Sequence, residues 1–163
     1  MLELDAENQD IVQIKMLNEN GNMINIRDIA KNDKLVFRYS EMNCNVCVDS
    51  QLVVLKQLCE LIGENKIIII TTYVNALNMA KFKRINQIKP PIYNLIGEGL
   101  GLQIDSLNMP FYFTLTKDGI ITNVFIPEKE YPKSTQLYIK TIERYFNGNL
   151  CEEEKMLSYS SNK

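Results

Sequence analysis

The strongest constraint on the fold is the run Ile67-Ile68-Ile69-Ile70-Thr71-Thr72, six β-branched residues in succession. Side chains branched at Cβ favour extended backbone, and an apolar run without polar alternation fits a strand covered on both faces, as in parallel sheets with helical crossovers. The residues before it supply such a crossover. Leu35-Val36-Phe37-Arg38-Tyr39 reads as a buried strand ending at Ser40. From Asn43 onward the apolar period lengthens to three and four: Cys47, Val48, Leu52, Leu55, Cys59 and Ile62 form a stripe that Val54, Leu58 and Leu61 widen, the pattern of an amphipathic helix. Asn43 is the expected N-cap and Gly63 the expected C′ residue. Strand, helix and strand make a βαβ unit, so the chain belongs to the α/β class.

Short elements flank this unit. Ile11 to Leu17 alternates apolar and polar residues and, with Met23 to Ile26 across an Asn20-Gly21-Asn22 turn, reads as an N-terminal β-hairpin. Asp28 and Asn32-Asp33 suggest a turn or one helical turn before the next strand. A helix is expected over 75–88, closed by Lys89-Pro90-Pro91, then a short strand at Ile92 to Leu95 and a loop or broken helix over 97–108. Met109-Pro110 introduces two strands, Phe111 to Thr116 and Ile120 to Ile126, joined at Lys117-Asp118-Gly119, and a last helix spans Ser134 to Phe146. The organisation is an N-terminal extension (1–10), one domain (11–147) and a polar tail (148–163) whose last dozen residues are expected to fray.

Composition removes several functions. The 163 residues contain no histidine, which excludes a Ser-His-Asp triad, an HExxH zinc site and a His-ligated haem built from this chain alone. A net charge of −2 lacks the basic surface that nucleic acid requires, so no nucleic-acid partner is expected. The start, Met1-Leu2-Glu3-Leu4-Asp5, carries acids where a signal peptide needs a basic region, and Ile67 to Ile70 is too short to cross a bilayer. The chain reads as soluble in itself, with a membrane anchor or export signal outside it as the alternative.

Four cysteines, Cys44, Cys47, Cys59 and Cys151, are too few and too unevenly spaced to staple a domain of this size. Cys44-Asn45-Val46-Cys47 stands out, because it follows a predicted strand and opens a predicted helix. There the unpaired N–H groups and the positive end of the helix dipole stabilise a thiolate. Cys44 is therefore the expected nucleophile and Cys47, one turn further in, the expected resolving thiol. Two inert core cysteines, or half of a metal site completed by Cys59, Cys151 or carboxylates, are the competing readings. No metal site is assigned and no organic cofactor is called for.

The succession of strand, Cys-x-x-Cys at a helix start, helix, buried strand, helix, Met109-Pro110, hairpin and last helix resembles the thioredoxin fold. The N-terminal hairpin is similar to that of its TlpA/ResA-like and peroxiredoxin-related branch. The resemblance runs from about Ile11 to about Phe146. It implies a mixed central sheet flanked by helices, a thiol–disulfide oxidoreductase acting on protein thiols and disulfides, and a redox donor or acceptor protein. It also implies a bacterial envelope or periplasmic setting, with a cytoplasmic one as the alternative. Carried over from the family, Pro110 is the expected cis-proline facing the dithiol, and Met109 offers its backbone to an extended peptide; Asn43, Asn45 and Val46 complete the expected substrate-binding residues.

The chain departs from the family where Glu41-Met42-Asn43 replaces the usual tryptophan and Asn-Val separates the cysteines. Glu41 would oppose a Cys44 thiolate at close range, no Lys or His in the motif favours one, and the strand before it holds only Arg38 as a charge, with no buried acid to assist Cys47. An interaction module with an incidental dithiol is the alternative function. Thiol peroxidase is a weaker one, because Ser40-Glu41-Met42-Asn43-Cys44 lacks the Pro, Thr and Arg of peroxiredoxin-like sites. Gly97-Glu98-Gly99-Leu100-Gly101 lacks the Lys-Ser/Thr of a phosphate loop and reads as flexible. Cys59 reads as a core residue and Cys151 as exposed. Of Phe111, Tyr112 and Phe113, packing is the default, with the middle one the candidate to face a groove.

Overall fold

The computed structural model describes residues 6–160 except 8, 12 and 98. Seven strands form one sheet in the order β2-β1-β5-β4-β3-β6-β7: β1 (Lys15–Leu17), β2 (Met23–Asn25), β3 (Lys34–Ser40), β4 (Ile67–Thr72), β5 (Ile92–Leu95), β6 (Phe111–Leu115) and β7 (Ile121–Phe125). The helices are α1 (Ile26–Ile29), α2 (Asn45–Ile62), α3 (Ala76–Ile85) and α4 (Pro132–Ser160). Strands β3, β4 and β5 run parallel, with Leu35 opposite Ile67 and Ile69 opposite Ile92. The outer pairs β3–β6, β6–β7, β1–β5 and β1–β2 are antiparallel. The expected mixed sheet with an N-terminal hairpin is present.

Alternation along the central strands separates two cores. Leu35, Phe37, Tyr39, Ile67 and Ile69 point to one face, where Val48, Leu55, Leu58 and Ile62 of α2, Met79 of α3 and Tyr138, Ile139, Ile142 and Phe146 of α4 cover them. Val36, Ile68, Ile70, Phe111 and Phe113 point to the other face, under Ile11, Met16, Ile26, Leu100, Leu102 and Ile104. Ile67, Ile68, Ile69 and Ile70 are all at most 2% exposed, as a strand buried on both sides requires. Tyr112 is fully buried, stacked on Phe37 at 4.8 Å with its hydroxyl donating to the Gln51 carbonyl, so it faces the core under α2 and not a groove.

Local signals set the ends of the elements. Asn75 Oδ1 accepts from Leu77 N–H to cap α3, and Gly63, at φ 92, ends α2 with its N–H on the Cys59 carbonyl. At the other end of α2 the cap is Cys44, not Asn43, and no side-chain oxygen caps the helix. Helix α4 continues beyond Asn147 to Ser160, through Glu152-Glu153-Glu154-Lys155-Met156-Leu157, all good helix formers. The Cys151 side chain lies outside the described residues, as does Glu98 of the glycine-containing loop.

The segment over 97–108 is held down. Leu100, Leu102 and Ile104 are buried, Gln103–Leu107 forms a 3-10 turn, and Asp105 is clamped between two donors. Its Oδ1 accepts from Arg38 Nε at 3.1 Å and its Oδ2 from Leu100 N–H at 2.6 Å. Arg38, 4% exposed, also donates to Thr72 Oγ1 at 2.8 Å and to the Tyr39 carbonyl. Burial lowers the Arg38 pKa, and Asp105 opposes that shift. Removing one partner of a buried pair strands the other charge, so Asp105→Ala should cost about 3 kcal/mol, the low end for such a break because Arg38 keeps two acceptors. Urea unfolding of the full chain, read as a fall in midpoint at constant slope, checks this.

Candidate functional site

The site lies where β3 ends and α2 begins. Ser40 closes the strand, and Asn43 N–H donates to the Ser40 carbonyl at 2.9 Å in a tight turn that delivers Cys44 to the helix cap. Cys44 is exposed, Cys47 half-buried, and both are free thiols. The Cys44 carbonyl accepts from Cys47 and Val48 N–H at 2.9 and 3.0 Å, which closes the first turn and stacks the two cysteines.

The two thiols are driven apart in acidity. Cys44 is held below the ordinary thiol range, first by the hydrogen bond from the Cys47 side chain, then by the Cys47 N–H, with further help from the Val46 N–H and the Lys129 ammonium. Cys47 is pushed up, first because its thiol is the donor in that shared bond and next by burial; the Cys44 charge adds to the shift and Lys129 opposes it. Glu41, the residue suspected of opposing the thiolate, has its carboxylate on the Val74 N–H at 2.5 Å.

A groove of about 510 Å³ runs past the dithiol. Ser50 and Gln51 of α2 join Cys44 and Cys47 on one side; Met109 and Pro110 stand with Leu107 and Asn108 on another; Ile126 to Glu130, the connection from β7 to α4, close the third. Of the expected binding residues, Met109 and Pro110 therefore share a groove with the cysteines. Asn43, Asn45 and Val46 do not line it. Asn43 is buried, its Oδ1 accepting from Ser40 N–H and its Nδ2 donating to Asn108 Oδ1 at 2.9 Å. Asn45 borders a separate depression beside Tyr39, Tyr73 and Phe82, and Val46 is exposed at the rim.

The expected cis peptide at Pro110 is not present; among the described residues no peptide bond is cis. The chain reverses one step earlier, at Asn108, whose left-handed φ of 51° is tolerated by an asparagine bonded through its side chain. A trans proline then stands immediately before β6, where a missing N–H costs no ladder bond.

Lys129 is the site residue that sequence reasoning missed. It lies far from the motif along the chain, and only the β6–β7 hairpin carries it to the groove. The half-buried Cys59 is elsewhere: it lines a cavity of about 570 Å³ between α2 and residues 85–90, and burial pushes its thiol up.

With this geometry established, comparison with known proteins defines the fold. No protein-family model and no curated protein sequence matches the chain. Solved structures match it along most of its length. A thiol:disulfide interchange protein from Bacteroides sp. is 15% identical, with a TM-score of 0.60 over 87% of this chain and 91% of that one. The thioredoxin domain of a thiol-disulfide oxidoreductase from Bacteroides vulgatus is 12% identical, with a TM-score of 0.56 over 82% and 98%. Peroxidoxin BcpB from Mycobacterium tuberculosis is 10% identical, with a TM-score of 0.58 over 84% and 97%. The fold is thioredoxin-like, with a Cys-x-x-Cys pair at the start of α2.

Iodoacetamide labelling across a pH series, read by peptide mass spectrometry, checks the thiol assignments. Cys44 should label first, with a midpoint below that of an ordinary thiol and a rate that rises with pH as its thiolate fills. Cys59 should lag, with a midpoint above. Lys129→Glu removes a cation beside Cys44 and adds an anion, so its midpoint should move up and its rate at neutral pH fall.

Proposed function

We propose that the protein exchanges disulfides with protein substrates through Cys44 and Cys47. The observation that carries this reading is an exposed, acidified Cys44 at a helix cap with a half-buried, raised Cys47 one turn inward, both opening on one groove. In the reductive direction the Cys44 thiolate attacks one sulfur of a substrate disulfide. That S–S bond breaks, the other substrate sulfur leaves as a thiolate, and a mixed disulfide joins Cys44 to the substrate. Cys47 loses its proton and attacks Cys44 Sγ, the second substrate thiolate leaves, and a Cys44–Cys47 disulfide remains. Two electrons have passed to the substrate, and a dithiol partner protein restores the pair by the same steps in reverse. A substrate dithiol oxidised by the Cys44–Cys47 disulfide runs the sequence backwards.

The surroundings support a macromolecular substrate. Met42, Val46 and Met109 are 74%, 61% and 41% exposed around the dithiol, an apolar rim for a second polypeptide. Met109 and Pro110 are the wall against which the substrate chain would lie. A bacterial envelope setting, implied by the resemblance, belongs to this proposal, with a cytoplasmic one as the alternative, and fractionation of the native source decides between them; among the described residues no helix is long and apolar enough to cross a membrane.

Equilibration in glutathione or dithiothreitol buffers should show a reversible two-electron couple between about −300 and −100 mV. Cys44→Ser should abolish insulin reduction, and Cys47→Ala should accumulate mixed disulfides with substrate proteins. A pair that never closes would replace exchange with a binding module whose dithiol is incidental.

A further inference from the structure

The turn that delivers Cys44 and the loop that carries Met109 and Pro110 are separate in sequence, yet side-chain hydrogen bonds of two asparagines join them. Asn43 directly precedes Cys44; Asn108 directly precedes Met109. Asn43 Nδ2 donates to Asn108 Oδ1 at 2.9 Å, and Asn108 Nδ2 reaches the Met42 carbonyl at 3.5 Å. Each asparagine is also fixed within its own loop. Asn43 Oδ1 accepts from Ser40 N–H at 2.8 Å, and Asn108 N–H donates to the Asp105 carbonyl at 3.2 Å. Behind Asn108 the loop is anchored by Asp105 on Arg38 of β3, the strand that leads into the Cys44 turn. The two walls of the groove are thus tied twice, deeply by Arg38–Asp105 and at the rim by Asn43–Asn108. The left-handed backbone of Asn108 turns the chain toward β6 while its side chain makes the rim bond, a pairing of roles that asparagine performs with little strain.

We propose that Asn43 and Asn108 form a joint that sets the spacing between Cys44 and the Met109–Pro110 wall, making them positioning residues for capture of a peptide disulfide. The proposal rests on the disulfide-exchange reading above. Neither asparagine acts on the sulfur. The joint holds the wall at one distance from Cys44, so that a peptide seated on it presents its disulfide in line. A small disulfide that never touches the wall gains nothing from the joint.

The test compares two probes on the full chain carrying Cys47→Ser, which stops each reaction at the mixed disulfide. One is the small symmetric reagent dithiobis(nitrobenzoate). The other is a cysteine peptide joined by a disulfide to one thionitrobenzoate. Both release the same thiolate, and quenched digests followed by mass spectrometry report labelling at Cys44 alone. The ratio of the peptide rate to the small-reagent rate cancels the reactivity of the thiol itself.

Asn108→Gly keeps the left-handed backbone and removes the amide, so its ratio should fall about fivefold, the worth of one ordering hydrogen bond. The pH profile of its iodoacetamide labelling should stay that of the parent. Asn108→Asp keeps an acceptor for Asn43 and should restore the ratio. Asn43→Ser, which removes the bond from the other side, should reproduce the fall. A ratio unchanged in Asn108→Gly, a fall in one single variant only, or a fall matched by a shifted pH profile overturns the joint. A parent ratio no greater than that of free cysteine overturns the peptide-exchange reading and the joint together, so the two failures are distinguishable.

Discussion

The position of the site follows from the parallel pairing of β3 and β4. Two strands that run side by side in the same direction need a crossover, and one that stays close to the sheet must leave from the end of the first strand. Helix α2 therefore begins only a few residues past Ser40, and its unpaired N–H groups gather at the C-terminal end of β3, an interior strand of the sheet. The full burial of Ile67 to Ile70 holds this register, because a one-residue slip would exchange the two faces of the strand between two different cores. Cys44 inherits its place from that packing.

A buried ion pair carries the consequence across the sheet. Arg38 is a charge buried on β3, and it is spent on Asp105, Thr72 and the Tyr39 carbonyl. A lone buried arginine would be costly, so the loop bearing Asp105 is drawn to the strand, with Leu100, Leu102 and Ile104 sealing it. That loop ends at Asn108, Met109 and Pro110. The same interaction that neutralises a charge in the core thereby builds one wall of the groove.

At the dithiol, acidity is divided by geometry more than by nearby formal charge. Cys47 and its own backbone N–H are the main stabilisers of the Cys44 sulfur, so the motif itself supplies most of the polarisation. Lys129 adds a weaker pull from across the groove, and Glu41, turned onto Val74, is spent elsewhere. A helix cap without an oxygen acceptor leaves donors facing the sulfur.

Much of the fold was legible in the chain. The β-branched run at 67–72, the change of period at Asn43 and the glycine at 63 act through local backbone and side-chain preferences that hold before any tertiary contact forms. The pair Cys44 and Cys47 was legible for the same reason, since residues three apart at a helix start meet whatever surrounds them. The rest depended on packing. The exchange of Asn43 from helix cap to buried bridge, the trans Pro110 behind a left-handed Asn108, the burial of Tyr112 and the arrival of Lys129 all arise between segments distant along the chain. Local sequence determined where a reactive thiol could form; only the tertiary structure decided what faces it, because those contacts are set by how the sheet brings remote loops to one end of its strands.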